Sequence, residues 1–282
     1  MPNVLFKKIA SEISLPLSCI LNASMSLFSI HSDWAMVIVV HVFKNGYTSD
    51  INNYRQISLI CISCKIMESV IKDTMLCHLL KNKLITKHQH AFFLSRHSTT
   101  AQLIERVGDW TLKLSNKQQF DVAELDFTKA FDSVVHSKLS HKLKCYRFNG
   151  LLLDLIKCFL INRRQMVRMG SSLSHSCNVI SGVPQGSVLG PVLVIIYIND
   201  ICRIACSVKD DVTYNLFADV VKVYTCIIYV ESAIMLQRCL DLICNWATSW
   251  QLNLPLVNAL CCLLERRMLI PCTTAVILCC LW

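Results

Sequence analysis

Three short segments carry side chains that could do chemistry, and the first holds two aspartates, Asp126 and Asp132. It reads L-D-F-T-K-A-F-D over residues 125–132. Asp is depleted in strands because its short polar side chain competes with the strand ladder, so an Asp that ends an apolar strand needs a partner such as a cation. Asp132 fits a simpler role, since the helix dipole favours a negative charge in the first turn. Asp126 fits a helix cap and a metal ligand equally well.

The second segment reads S-G-V-P-Q-G-S-V-L-G-P over residues 181–191 and precedes an apolar run, residues 192–198. Its glycines would let the backbone approach a ligand closely, with the side-chain amide of Gln185 beside it. The simpler alternative is a loop that enters a buried helix. Spacing alone favours this alternative, because turns rich in Gly and Pro are common.

The third segment reads L-F-A-D-V-V-K-V-Y over residues 216–224 and has apolar strand sequence on both sides of Asp219. This pattern predicts a tight hairpin whose tip holds a carboxylate. A lone Asp at a turn is more often structural than catalytic. Taken separately, each of the three segments is therefore weak evidence for a site.

A strand must position the first of these aspartates. Apolar and polar positions alternate over residues 122–127, so Leu125 and Phe127 point one way while Glu124 and Asp126 point the other. The alternation predicts a strand that carries two carboxylates on one face.

Helices are predicted on either side of this strand. Apolar residues recur at every fourth position from Phe131 to Leu143, which predicts one helix with Thr128 as its cap. Residues 61–80 form an amphipathic pattern near the helical period. The other face of that helix is expected to carry its charged residues: Lys65, Glu68 and Lys72. Repeated strand-to-helix transitions predict an α/β or α+β sheet protein.

Composition limits the class of protein. The chain has 282 residues, of which 54% are apolar and only 17% charged, a balance that excludes intrinsic disorder. The net charge of +9 permits a polyanionic partner without proving one. The 17 cysteines are expected to be reduced thiols. The pair Cys61 and Cys64 lacks the second pair that a zinc site needs.

A membrane protein is suggested only by a mean hydropathy of +0.46. No run of about 18 uninterrupted apolar residues occurs, and no small-residue cleavage site follows the first apolar stretch. The sequence therefore predicts an intracellular protein, in cytoplasm or nucleus, without a membrane partner.

In order along the chain, these segments resemble the reverse transcriptase domain of non-LTR (LINE-type, jockey-like) retrotransposons. The resemblance covers about Ser32 to Tyr224, and the three segments are similar to the family's motifs A, B and C. Five further stretches carry it: V-F-K-N-G (42–46), N-Y-R-Q-I-S-L (53–59), K-I-M-E (65–68), Q-H-A-F (89–92) and R-H-S-T-T (96–100).

The resemblance implies an α+β right-hand polymerase with fingers and palm, an antiparallel palm sheet with packed helices, and a thumb that is missing or degenerate. Residues 1–31 would be a helical lead-in, 32–252 the fingers and palm, and 253–282 a diverged apolar tail. The expected reaction is nucleotidyl transfer by an RNA-directed DNA polymerase. Its partners would be an RNA template, a DNA primer and dNTPs.

The resemblance also implies roles for particular residues. Two Mg²⁺ ions would be held by carboxylates, with Asp126 and Asp219 as catalytic metal ligands. The residues expected at the nucleotide are Phe127 (backbone near the triphosphate), Phe131 (under the sugar), Gln185 and Gly186. Lys65 and Arg96 would contact phosphate or template, although solvated charges on helix faces are an equally good interpretation.

One departure from the family pattern bears directly on activity. Motif C normally has two adjacent aspartates, and here the second is Val220. Valine offers no oxygen to a cation, so the metal site would be incomplete. We therefore expect a reverse transcriptase domain with weak or absent activity, and the alternative is a non-catalytic nucleic-acid-binding remnant.

Overall fold

The computed structural model describes residues 3–91, 99–161, 163–206, 212–254 and 260–264. Its helices are α1 (Asn3–Lys8), α2 (Ala10–Ser26), α3 (Ser32–Ala35), α4 (Ile62–Lys81), α5 (Thr99–Ser115), α6 (Ala130–Ser133), α7 (His136–Cys145), α8 (Gly150–Leu160), α9 (Gly190–Ile198), α10 (Ile201–Cys206) and α11 (Val230–Trp250). Its strands are β1 (Met36–Phe43), β2 (Tyr54–Leu59), β3 (Phe120–Asp126), β4 (Arg164–Met169), β5 (Ser172–Leu173), β6 (Cys177–Asn178), β7 (Val212–Phe217), β8 (Val220–Cys226) and β9 (Leu260–Leu264).

Helices and strands are mixed along the chain, which confirms the α+β class. The chain divides into two compact units, and each is built from separate stretches of sequence. The first unit comprises Met1–Asn82 and Val134–Leu193, and the second comprises Lys83–Ser133 and Val194–Trp282.

The first unit contains a mixed five-stranded sheet. Its strands follow the order β2-β1-β4-β5, and β6 also pairs with β4. The pair β1 and β4 is parallel, whereas β1 and β2 are antiparallel. Helices α4, α7 and α8 supply much of the apolar core through fully buried side chains: Met67, Ile71, Met75, Leu79, Leu139, Leu143, Ile156 and Phe159.

The second unit contains a four-stranded antiparallel sheet in the order β7-β8-β3-β9. Strand β3 lies inside this sheet with a partner on each edge. Both of its faces are covered, since Val122 and Ala123 are 6% and 2% exposed. The tail that the sequence predicted from residue 253 contributes β9, which pairs with β3.

One local expectation is wrong. The single helix predicted from Phe131 to Leu143 is interrupted between α6 and α7, where Val135 has an extended backbone. Two adjacent valines, whose branched side chains crowd a helix, explain the break, and Val134 O accepts a hydrogen bond from Gly182 N. Thr128 does not precede α6 directly; its N–H donates to Asn253 O at 2.9 Å.

The charged face predicted for α4 is also incorrect at one position. Glu68 is fully buried, although helical spacing placed it with Lys65 and Lys72. Conversely, Val70 is 47% exposed. The helix is thus buried on a face that includes a carboxylate.

None of the described helices combines the length and apolarity that crossing a bilayer requires.

Candidate active site

Strands β3 and β8 bring two of the predicted site residues to one end of the antiparallel sheet. The register pairs Leu125 with Val221 and Asp126 with Val220. Beyond the last pair, Phe127 N donates to Asp219 O at 3.5 Å. Asp126 and Asp219, far apart in sequence, therefore lie one backbone position from each other across neighbouring strands.

A salt bridge marks this register two residues back from the strand end. Glu124 lies opposite Lys222, and Lys222 Nζ is 2.7 Å from a Glu124 carboxylate oxygen. One of the two carboxylates predicted on this strand face is therefore paired with a lysine. Asp126 is exposed at the strand end.

The register also locates the departure at position 220. Directly opposed residues of an antiparallel pair project from the same face of the sheet, with Cβ atoms about 4.5–5.5 Å apart. Val220 is therefore the direct neighbour of Asp126, where the family pattern has a carboxylate. In this copy the neighbour is apolar.

The β7–β8 hairpin predicted around Asp219 is confirmed. Phe217 pairs with Val220, so Ala218 and Asp219 form a two-residue turn. Ala218 has a φ of 52°, in the left-handed region that costs about 1–2 kcal/mol for a residue with a Cβ. A strained residue therefore comes immediately before the carboxylate.

Gln89 holds this strained turn through its side chain. Ala218 N donates to Gln89 Oε1 at 3.1 Å, and Gln89 Nε2 donates to Ala218 O at 3.4 Å. The same Oε1 accepts from Ala91 N at 3.1 Å. Gln89 is 2% exposed and its segment pairs with β7, since His90 N donates to Leu216 O. The sequence stretch Q-H-A-F marked this residue but gave it no role.

The aromatic residues next to Asp126 differ in burial. Phe127 is 1% exposed and contacts Trp246 of α11, with ring centroids 6.1 Å apart. Phe131, in α6, is half-buried. The side chain of Phe127 thus belongs to the core, while its backbone lies beside Asp219.

The loop with Gln185 and Gly186 lies in the first unit and is held by β2. Ser58 N donates to Gln185 O at 2.7 Å. Gly186 has a φ of 105°, and a Cβ there would lie 2.9 Å from the Ser58 carbonyl oxygen. Gly186 is therefore required both by its backbone conformation and by the closeness of the strand. The loop enters the buried helix α9, as the simpler sequence alternative stated.

Glu68 fixes the other end of this loop. Its Oε2 accepts hydrogen bonds from Val188 N and Leu189 N, just before α9 begins. Burial raises the pKa of the Glu68 carboxyl, against the opposing effects of these backbone donors and of Arg163. Sequence reasoning missed this role because a charged residue at that helical position is usually solvated.

The basic residues predicted to contact phosphate remain predictions. Lys65 is half-buried on α4. Arg96 lies outside the described residues. The assignments of Phe127, Phe131, Gln185 and Gly186 to the nucleotide are likewise untested by these contacts.

The donor set suits a hard divalent cation only in part. Asp126 and Asp219 supply carboxylate oxygens, which Mg²⁺ prefers, and Mg²⁺ is commonly bound by one or two carboxylates together with substrate phosphates. Val220 adds no oxygen. Within the described ranges, no group of three or more His, Cys, Asp or Glu side chains is placed to hold a metal.

The sequence matches the reverse transcriptase (RNA-dependent DNA polymerase) family over residues 42–257. The chain belongs to this family. The resemblance to the reverse transcriptase domain of non-LTR retrotransposons is confirmed by this match together with the relatives described next.

Relatives with which the chain aligns agree with this assignment. The chain is 32% identical over 244 residues to the RNA-directed DNA polymerase from mobile element jockey of Drosophila melanogaster, covering 84% of this chain and 26% of the relative. It is 29% identical to the probable RNA-directed DNA polymerase from transposon X-element of the same species, covering 94% and 29%. The chain thus spans a little over a quarter of these relatives.

The fold is similar to that of telomerase. Apo telomerase from Candida tropicalis, truncated from the C-terminal domain, gives a TM-score of 0.61 at 10% identity, covering 82% of this chain and 51% of that one. Telomerase from Candida albicans in complex with a telomeric RNA fragment gives 0.60 at 12% identity, covering 91% and 47%.

Replacing Gln89 by alanine should destabilise the hairpin of this reverse transcriptase chain. The variant leaves the Ala218 and Ala91 amides without their acceptor, and a buried unsatisfied group costs about 1–3 kcal/mol. We expect Gln89→Ala to lower the free energy of unfolding by that amount and to speed amide hydrogen exchange at Ala218. Gln56→Ala, at an exposed position of β2, should change stability by less than about 0.5 kcal/mol. Equal effects of the two variants would contradict the proposal that Gln89 stabilises the turn.

Three glycine variants separate strain from collision at the loop. Gly186→Ala should destabilise more than Gly170→Ala, because both have positive φ but only Gly186 faces a backbone oxygen. Gly108→Ala has neither problem and should stabilise α5 by about 1 kcal/mol. Urea unfolding measures all three, and a Gly186→Ala effect no larger than that of Gly170→Ala would refute the close approach.

The pH dependence of stability should reveal the raised pKa of Glu68. Its folded-state pKa is raised above the ordinary value of 4.5, so its contribution is fully present below pH 4.5 and is lost as pH rises through the folded pKa. Glutamine does not titrate. The stability of the native chain relative to Glu68→Gln should therefore fall as pH increases from about 4.5, measured by urea unfolding across pH. A difference that stays constant or rises would contradict the raised pKa.

Proposed function

We propose that this chain is the catalytic portion of an RNA-directed DNA polymerase whose activity is impaired by Val220. The observation that carries the proposal is the β3–β8 register, with Asp126 opposite Val220 and beside Asp219. Two carboxylates at the end of adjacent strands are a suitable donor pair for a divalent cation. Family membership supplies the reaction class.

In this proposal Asp126 and Asp219 hold the divalent cation. When bound, such a cation stabilises negative charge on the attacking and leaving oxygens of the phosphoryl group. Gln89 contributes indirectly, because it fixes the turn that presents Asp219. The salt bridge between Glu124 and Lys222 keeps the strand register, and hence the spacing of the two aspartates.

Further residues act on the nucleotide and the template. Gly186, which has no Cβ, lets the loop lie against the Ser58 carbonyl oxygen. Gln185, the residue before it, is proposed to lie beside an incoming dNTP. Phe131 is the residue proposed to pack beneath the sugar, and the Phe127 backbone lies next to the metal ligands. Lys65 and Arg96 are proposed to contact the phosphates of the RNA template or DNA primer.

The finer architecture is part of the same proposal. We assign residues 32–252 to fingers and palm, with the antiparallel β7-β8-β3-β9 sheet as the palm sheet. Residues 1–31 precede this region as a helical lead-in. Residues 253–282 are a diverged segment that includes β9.

A second candidate function is favoured by Val220 itself. An apolar residue in place of a metal ligand is consistent with a chain that has lost catalytic activity and has kept a net charge of +9. Such a remnant would bind RNA or DNA through phosphate contacts and would lose affinity as salt rises.

Restoring the carboxylate should increase polymerase activity. In a primer-extension assay with Mg²⁺ and an RNA template, Val220→Asp is expected to raise the rate at least about tenfold, equivalent to about 1.4 kcal/mol of transition-state stabilisation. Val220→Asn has nearly the same shape without the charge and should give much less. Adding Asp126→Asn to Val220→Asp should remove the gain.

Metal binding gives a readout that does not need turnover. Two carboxylates directly opposite each other repel without a cation, so Mg²⁺ should raise the Tm of Val220→Asp more than that of Val220→Asn. No gain in extension and no difference in Mg²⁺ response would reject the proposed site. Salt-sensitive binding of the template in filter assays would then support the second candidate.

A further inference from the structure

Two cysteines occupy the first turn of α4, in the first unit. Cys61 is the N-cap residue and is exposed, while Cys64, three residues later, is fully buried. Residues three apart at this point of a helix have Cα atoms about 5 Å apart. That distance lies in the range that a disulfide can bridge. The pair is thus placed for reversible closure, with one sulfur accessible and one protected.

Charged groups surround the buried member of this pair. Cys64 Sγ is 3.6 Å from Glu68 Oε1, and Arg163 Nη2 is 4.0 Å from the same oxygen. Arg163 is 2% exposed, and neither of its terminal nitrogens has a hydrogen-bond partner among the described residues. Arg163 also lies within electrostatic reach of both sulfurs. A buried cation with unsatisfied donors favours negative charge beside it.

The two thiols differ strongly in pKa. The interaction with the Cys64 side chain lowers the pKa of Cys61 to about 5, with help from Ser63 and Arg163 and against partial burial. The interaction with Cys61, burial and the nearby Glu68 raise the pKa of Cys64. Cys61 is therefore a thiolate at neutral pH, and Cys64 keeps its proton. Such a pair has one nucleophile and one resolving thiol.

We propose that Cys61 and Cys64 form a redox-active dithiol that exchanges with small disulfides of the oxidised-glutathione class. The inference rests on the geometry of α4 and Arg163, and it holds whether or not the chain polymerises nucleotides.

The exchange proceeds in two balanced steps. The Cys61 thiolate attacks one sulfur of the small disulfide, whose S–S bond breaks; a mixed disulfide forms and one small thiolate leaves. Cys64 then passes its proton to the Glu68 carboxylate, and its sulfur attacks the Cys61 sulfur and expels the second small thiolate. The two protein sulfurs lose two electrons in total. The small disulfide gains them and leaves as two thiolates, which take up protons from Glu68 and from solvent.

Oxidation of the cysteine pair would also affect how the loop that contains Gln185 is anchored. Glu68 accepts from the Cys64 thiol with one oxygen and from the loop amides with the other. A disulfide removes the thiol donor from this shared carboxylate. The redox state of the pair is thereby coupled to the anchoring of the loop.

The test uses the full chain in buffers of oxidised and reduced glutathione. Non-reducing proteolysis and mass spectrometry should detect a Cys61–Cys64 disulfide that disappears when reduced glutathione is in excess. Cys64→Ser should stop the reaction at glutathione attached to Cys61. Cys177→Ser, which removes an exposed cysteine elsewhere in the unit, should leave the disulfide unchanged.

Alkylation rates provide an independent measurement. At pH 6 a thiol with a pKa near 5 has a far larger thiolate fraction than an ordinary cysteine, partly offset by weaker intrinsic nucleophilicity. Iodoacetamide should therefore label Cys61 about five- to tenfold faster than the exposed Cys19, Cys77 and Cys177. Cys61→Ser keeps a good N-cap, so it should fold and lose only this fast phase.

Two results would overturn the proposal. One is the absence of the Cys61–Cys64 disulfide at every glutathione ratio. The other is glutathione spread evenly over the exposed cysteines of Cys64→Ser, with circular dichroism showing that the variant is folded. Neither measurement depends on primer extension, so failure here and failure of the proposed polymerase function are distinguishable.

Discussion

The antiparallel pairing of β3 with β8 fixes the relation between the two candidate metal ligands. Asp126 ends β3, and Asp219, far later in the sequence, lies in the turn just before β8, so only this register brings them together. A slip of one residue would turn every side chain of a strand to the opposite face. The salt bridge between Glu124 and Lys222 opposes such a slip, because it joins two residues that are directly opposite only in the observed register.

Both loops that carry candidate site residues are fixed by buried side chains from elsewhere in sequence. Gln89 satisfies the backbone of the hairpin turn, and Glu68 satisfies the amides that precede α9. These contacts suit the physical problem, because buried amides need acceptors and neither turn can provide them from its own backbone. A polar side chain at each position is therefore structural support for a loop.

Local patterns in the sequence predicted individual elements of both units. Alternation identified β3, the segment around Asp219 identified a hairpin, and the helical period identified α4. These features depend on neighbours along the chain. Asp126 could be proposed as a metal ligand only through the family resemblance, because its local sequence fits a helix cap equally well.

Two of the missed features, the burial of Glu68 and the division into two units, depend on residues distant in sequence. The burial of Glu68 follows from amides more than a hundred positions away, and spacing on α4 cannot reveal them. The break between α6 and α7 contradicted the four-residue spacing because two valines disfavour the helix locally. The division into two units, each assembled from separated stretches, has no local signature at all.

The central position of β3 has a consequence for synthesis of the chain. Both partners of β3 follow it, at residues 220–226 and 260–264. At a translation rate of about 5–20 residues per second, the ribosome needs roughly 5–20 s to deliver even the nearer partner. Throughout that interval the nascent polypeptide carries a strand with two unpaired edges, whose backbone groups are open to pairing with other chains. Productive folding of this sheet therefore depends on shielding the strand until both of its partners have been synthesised.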